Sequence, residues 1–167
     1  MDLRAELLNW DGRTAADIAD IYQRYKAVEG FHRCLITLMG EEVSQRGATW
    51  LLKRYLQDGG YLGALEIASI YKLLPVLAHW ESRLHLLQSI PFMPIAKTEK
   101  ITVERFLRKS LSDDNKFVRA WAYSGFYELS LQYEEYREET TTLMEMALRD
   151  EVPSVKARVR KIVSKGF

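Results

Sequence analysis

One ten-residue pattern occurs twice in this chain, 37 residues apart. Leu111-Ser-Asp-Asp-Asn-Lys-Phe-Val-Arg-Ala120 and Leu148-Arg-Asp-Glu-Val-Pro-Ser-Val-Lys-Ala157 share Leu, then Asp with a following acid, then Val, a cation and Ala at identical offsets. A period of that length is the signature of a stacked helical array, in which each repeat buries its apolar face only against its neighbours.

The pattern extends backward through its anchors. Leu38, Leu74, Leu111 and Leu148 are spaced 36, 37 and 37 residues apart, and a cation follows each: Arg46, Arg83, Arg119 and Lys156. Arg83 falls one residue late, which places a one-residue insertion in the second turn. Leu52, Leu86, Gly125 and Ile162 share one phase of the second helices, and Ile90, Phe126 and Val163 share the next.

Helix breakers separate the periodic segments. Thr14 is placed to cap a helix over 14–28, with Ile18, Ile21, Tyr22 and Tyr25 on one stripe and Gly30 as its stop. Phe31 to Met39 precedes Gly40, and a longer helix then runs through Gln57 to Asp58-Gly-Gly60. The next pair covers Leu62–Leu74 and His79–Ile90. Pro91-Phe-Met-Pro94 reads as an extended linker, because proline lacks a donor and restricts its predecessor. Thr102–Leu111 with Lys116–Gln132, and Arg137–Leu148 with Pro153–Lys165, complete the set, Pro153 suiting a first helical turn. No strand-like alternation occurs, so the chain reads as all-α, a single domain over 1–167.

An acidic turn followed by Val-Arg-Ala at the start of a second helix, as in Asp113 to Ala120, resembles the HEAT repeat. Phe31–Met39, Gln45-Arg46-Gly47-Ala48-Thr49-Trp50 and Lys156-Ala-Arg-Val-Arg-Lys161 look similar to small bacterial HEAT-like proteins, so the resemblance covers residues ~30–165. It implies a short α-solenoid of helical hairpins curved into a right-handed superhelix. It also implies that turn acids and second-helix cations pair between repeats, which makes Asp113, Asp150, Arg119 and Lys156 framework residues. The competing reading sets the cations in a ladder along the concave face. A tetratricopeptide array expects Trp, Leu-Gly and Tyr in the first helix, and no copy supplies them.

Charge and chemistry narrow the function. With 24 basic and 23 acidic residues the net charge is +1, which gives no global pull toward nucleic acid or anionic membrane. Met1-Asp-Leu-Arg-Ala-Glu is charged where a signal peptide needs an apolar stretch. The most apolar region, Leu62 to Trp80, is broken by Glu66, Lys72 and Pro75, short of the ~20 residues that span a bilayer. The single cysteine, Cys34, has no internal disulfide partner. These features predict a soluble cytoplasmic protein.

Glu81 and His85 share a helix face, His79 points away, and no third ligand falls at metal spacing; His32, His79 and His85 are expected at the surface or an interface. His32 and Cys34 lie on different helix faces, which argues against a nucleophile–base pair. No Gly-x-Gly-x-x-Gly, phosphate-binding Gly-Lys-Ser loop or His-Glu-x-x-His is present. No catalytic residue, metal or cofactor is assigned. Trp50, Trp121 and Phe126 fall on apolar phases and are expected in the core. An exposed Trp10, Trp80 or Tyr127 would mark an interface.

The two final helices differ in sign. Residues 134–151 hold seven acids (Glu134, Glu135, Glu138, Glu139, Glu145, Asp150 and Glu151) against Arg137 and Arg149. Residues 153–167 hold five cations (Lys156, Arg158, Arg160, Lys161 and Lys165) and no acid, around an expected buried stripe of Val155, Val159, Ile162 and Val163. Such a helix is either a solvated end cap or an anion-binding end. The reading that follows is a non-enzymatic scaffold binding a protein or peptide on its concave face, through Gln45, Arg46, Arg83, Arg119, Lys156, Arg158 and Lys161. The alternative is a nucleic-acid binder, or an enzyme similar to the HEAT-like alkylpurine DNA glycosylases. A third class is a regulatory module like the short HEAT arrays found beside bilin lyases.

Overall fold

The computed structural model describes residues 2–167, and every regular element among them is a helix. The chain divides into two compact units, with the boundary in sequence between Met93 and Pro94. Each unit is built around one long second helix.

In the N-terminal unit, α1 (Leu3–Asn9) and α2 (Ala15–Tyr25) precede two hairpins, α3 (Phe31–Met39) with α4 (Glu42–Gln57) and α5 (Ala64–Leu73) with α6 (Trp80–Ser89). The α4 helix is the post of this unit, since α1, α2, α3 and α6 all pack on it. It can be surrounded because Ala48, Leu51, Leu52 and Leu56 are buried and Gly47 is bare. A β-carbon at Gly47 would lie 2.8 Å from the Leu7 side chain, so α1 reaches α4 only over a glycine.

The α2 stripe of Ile18, Ile21, Tyr22 and Tyr25 is buried as its periodicity predicts. Its ends differ from expectation. Thr14 occupies the cap position without a side-chain bond, its carbonyl accepting instead from Trp10 Nε1 at 3.2 Å. The helix stops at Tyr25, and Gly30, at φ +75°, opens α3.

In the C-terminal unit, α7 (Lys100–Leu111) pairs with α8 (Lys116–Gln132) and α9 (Arg137–Asp150) with α10 (Pro153–Val163). The post is α8, packed by α7, α9 and α10. Ala120, Tyr123, Met144, Ala147, Val155, Val159 and Ile162 form one buried cluster there, with Leu111 and Leu148 against it. Pro153 occupies the first turn of α10. Val163, expected in the stripe, is 37% exposed, because the partners of α10 cover only the arc from Val155 to Ile162.

The segment 91–94 is only partly extended. Ile90–Phe92 continue α6 as a 3₁₀ turn, and the extended backbone begins at Met93. Met93 is fixed to the first unit through its carbonyl, which accepts from Tyr71 Oη at 2.6 Å. Ile95 is fixed to the second, its N–H donating to Gln132 Oε1 at 2.8 Å and its carbonyl accepting from Tyr133 Oη at 2.7 Å.

Counting from the start of each second helix sets the repeat register. The third positions, Ser44, Ser82, Val118 and Val155, are all buried, as are the seventh, Ala48, Leu86, Ala122 and Val159. The sequence phases were close. Leu86 belongs one turn earlier than its anchor suggests, aligned with Ala48 and Ala122.

Candidate functional site

The fourth position of the second helices carries Gln45, Arg83, Arg119 and Lys156, and all four reach back to the preceding turn. Gln45 is buried; its Nε2 donates to the Met39 and Val76 carbonyls at 3.1 and 3.3 Å, and its Oε1 accepts from Ala78 N at 2.9 Å. Arg83 Nη1 donates to the Ala78 carbonyl at 3.0 Å, and Arg119 Nη1 to Asp113 and Asp114 carbonyls at 2.9 and 3.1 Å. Lys156 Nζ donates to the Arg149 carbonyl at 2.9 Å. These carbonyls lie at or just beyond the C-terminal ends of first helices, where the backbone leaves acceptors without intrahelical partners. A donor at the fourth position supplies what the turn lacks.

Arg46 stands one residue further on and does something else. Its Nη2 donates to the Gly12 carbonyl, its Nε pairs with Glu81, and its guanidinium lies 5.2 Å from the Trp10 ring centroid. The repeat equivalent of Arg83 in the first hairpin is therefore Gln45.

Arg119 also bridges repeats, since its Nε and Nη2 fork the Glu151 carboxylate at 3.0 and 3.2 Å. Glu151 belongs to the acid run, and α7 holds two more of its acids. Lys100 pairs with Glu135 at 2.7 Å, and Arg108 with Glu139 at 2.6 Å and Glu104 at 2.8 Å. Glu139 and Glu104 hold the Arg108 guanidinium above the ordinary arginine range. Burial, reinforced by its hydrogen bond to Glu104, pushes the Tyr136 hydroxyl up to about 12. Asp150 is taken by the adjacent Arg149 at 2.9 Å.

Four of the seven acids of the run are thus engaged away from α10. Arg158 lies over the Trp121 ring, its guanidinium carbon 3.8 Å from the centroid, and burial alone holds it below the usual range. Trp121 is half-buried beneath that cation. Lys165 stands 5.7 Å from the Tyr127 ring and faces Glu128, whose carboxyl burial raises. Arg160 and Lys161 are exposed. Trp121 with Arg158 and Glu128 with Lys165 are each 37 residues apart, so α8 and α10 run side by side with equivalent positions facing each other. That spacing, equal to the repeat period, was the signal from which the pairs could have been read.

The N-terminal unit holds a second cation of this kind. Lys53 is half-buried with its ammonium 5.5 Å from the Trp50 ring, and burial, with Arg54 adding repulsion, lowers its pKa. Facing it on α6 is His85, expected at the surface or an interface and found enclosed within the unit at 7% exposure. Thr49 Oγ1 donates to the Arg46 carbonyl at 3.1 Å and lies 3.0 Å from His85 Nδ1, so Nδ1 carries the ring proton and Thr49 accepts it. Burial first, then the charges of Lys53 and Arg46, push the imidazole down to about 3. His79 is exposed and caps α6, accepting from Glu81 N at 3.2 Å, while His32 bonds Glu66 at 2.9 Å.

Trp50, Trp10, Trp80 and Tyr127 are all partly covered, and Phe126 is buried. An open cleft of about 580 Å³ between α1 and α2 is lined by Glu6, Asp11, Asp17 and Asp20, with Arg24 bound to Glu6 and Asp20. Among the described residues no group of three His, Cys, Asp or Glu side chains could hold a metal ion. No helix among them is long and apolar enough to cross a membrane.

Comparison of the chain with protein-family models, curated proteins and solved structures finds no match.

Proposed function

We propose that this chain is a non-enzymatic helical-repeat scaffold, a short HEAT-like α-solenoid that binds a protein or peptide on the face made by its second helices. One contrast supports the reading. Cations at the helix starts are engaged by carbonyls and acids of the fold, whereas Lys53 and Arg158 are half-buried, lie on tryptophan rings and meet no carboxylate among the described residues. Cations are seldom buried without an anion. An aromatic with an adjacent unpaired cation is the composition of an interface anchor.

A second reading draws on the acid-free α10 helix, whose Arg158, Lys161 and Lys165 share one flank and could meet phosphates. A photo-crosslinking amino acid separates the two in cells. Placed at Lys161 on a second helix it should give protein adducts, and at Leu65 or Met146, exposed positions of first helices, it should give none. Adducts only from the first-helix positions, or adducts from Lys161 that nuclease destroys, would overturn the protein-binding reading.

A further inference from the structure

We propose that the α8–α10 flank of the C-terminal unit is a receptor for an acidic peptide segment, its carboxylates taken by Arg158 on the Trp121 ring and by Lys161 and Lys165 beside it. The inference rests on the partner reading above and names the chemistry of what docks.

The acid run of residues 134–151 sits beside α10 in sequence, and it is the natural counter-charge for that helix. Four of its seven acids are engaged elsewhere, Glu135 by Lys100, Glu139 by Arg108, Glu151 by Arg119 and Asp150 by Arg149, and the other three, Glu134, Glu138 and Glu145, are exposed and pair with no cation of α10 among the described residues. Lys156 is used by the turn, through the Arg149 carbonyl. Among the described residues Arg158 and Lys161 are therefore left without an acid, and Lys165 has only Glu128 before it.

Their arrangement is that of a prepared site. Residues 158, 161 and 165 lie on one side of a helix, and residues 117, 121 and 128 occupy the corresponding side of α8. The indole of Trp121 covers one face of the Arg158 guanidinium, and its edge donors meet no acceptor among the described residues. A planar guanidinium held in place presents parallel N–H groups that match a carboxylate, and holding it in advance reduces the entropy lost on binding. Half-burial strengthens that pairing relative to a cation in bulk water. Phe117, 51% exposed at the start of α8, adds an apolar contact at one end of the same flank.

Two features favour a peptide over a nucleic acid. The indole face that could stack on a base is occupied by Arg158. Glu128 lies two helical turns from Trp121 on the same flank, where a continuous row of phosphates would meet its carboxylate. A peptide can place a neutral residue there and its acids on either side.

The test uses the full chain and three ten-residue probes: a peptide alternating Glu and Ala, the same peptide with Gln for Glu, and single-stranded decathymidylate. The readouts are the indole N–H resonance of Trp121, assigned with Trp121→Phe, and the dissociation constant. The Glu peptide should shift that resonance, and the Gln peptide should leave it in place. Arg158→Gln and Lys161→Glu should each weaken the Glu peptide at least fivefold. Lys161 is exposed, so its variant reports on binding even if Arg158→Gln destabilises the fold. An unmoved Trp121 resonance, equal binding by both variants, or tighter binding of decathymidylate than of the Glu peptide would overturn the proposal. If the acidic chemistry fails while Lys161 still crosslinks to protein, the partner reading stands; if crosslinking also fails, both fall.

Discussion

His85 shows how a fold changes the chemistry of one side chain. Its ring is enclosed between α4 and α6, hydrogen-bonded through Nδ1 to Thr49 and faced by Lys53 and Arg46. The folded chain therefore keeps it neutral down to about 3, whereas an unfolded histidine titrates near 6.5. Above pH 6.5 both states are neutral, and His85 contributes no pH dependence. Below it the unfolded state binds a proton that the folded state refuses, so stability falls as pH drops from 6.5 toward 3. Between pH 7 and pH 5 the loss should be roughly 2 kcal/mol, since each unit of pKa difference is worth about 1.4 kcal/mol. Urea unfolding of the wild type and His85→Gln at both pH values checks this. The variant should lack that increment, and an identical pH dependence in the two would show that the buried imidazole is not the cause. The burial was not legible in the sequence. His79, Trp80, Glu81 and Arg83 surround the start of α6 with polar groups, and no clean apolar stripe marks which face turns inward. The fourth-position donors were equally opaque in role: a sequence shows that Arg119 is a cation, but not that Asp113, Asp114 and Glu151 are what it reaches.

At the scale of the helix, much of the fold could be read before it was seen. Gly40, Asp58-Gly-Gly60, Pro75 and Pro153 fall at helix ends and starts, where glycine's weak helix preference and proline's missing donor place them, and the helix positions follow from them. Register was harder. The anchor leucines count from the ends of first helices, while burial counts from the starts of second helices. The 3₁₀ turn at Leu74–Val76 and the extended Leu77 make those two counts differ in the second hairpin. The register from helix starts makes Val118 and Val155 equivalent third positions, and both are 0% exposed. Val118→Ala and Val155→Ala should each destabilise by roughly 1–3 kcal/mol, the scale of removing buried methyl groups that the surroundings cannot refill. Chemical denaturation of each variant measures it. Unchanged midpoints for both would mean that these positions do not carry the packing between α8 and its neighbours that the repeat assigns them.

For the whole molecule the decisive quantity is how charge is distributed rather than how much there is. Residues 1–93 carry 10 basic and 11 acidic side chains, and residues 94–167 carry 14 and 12, so neither unit generates a strong field of one sign. Long-range steering of a polyanion needs such a field. What the chain offers instead is local: Arg158, Lys161 and Lys165 on one flank, interrupted across the groove by Glu128. A duplex that engaged three to five cations would release counterions in proportion, and its affinity would fall with a log–log salt slope of about −3 to −4.5, at about 0.9 per phosphate. The combined reversal Arg158→Glu, Lys161→Glu and Lys165→Glu would abolish such binding while leaving Val155, Val159 and Ile162 untouched. The charge distribution predicts otherwise. Duplex DNA should bind no tighter than ~10⁻⁴ M at physiological salt, the weak end of non-specific association, and the triple reversal should change that little. Titration of duplex DNA at several salt concentrations decides it, because a tight and steeply salt-dependent complex would mean that the flank of α10 is built for phosphate and that Glu128, on the same flank, warrants study as a catalytic acid.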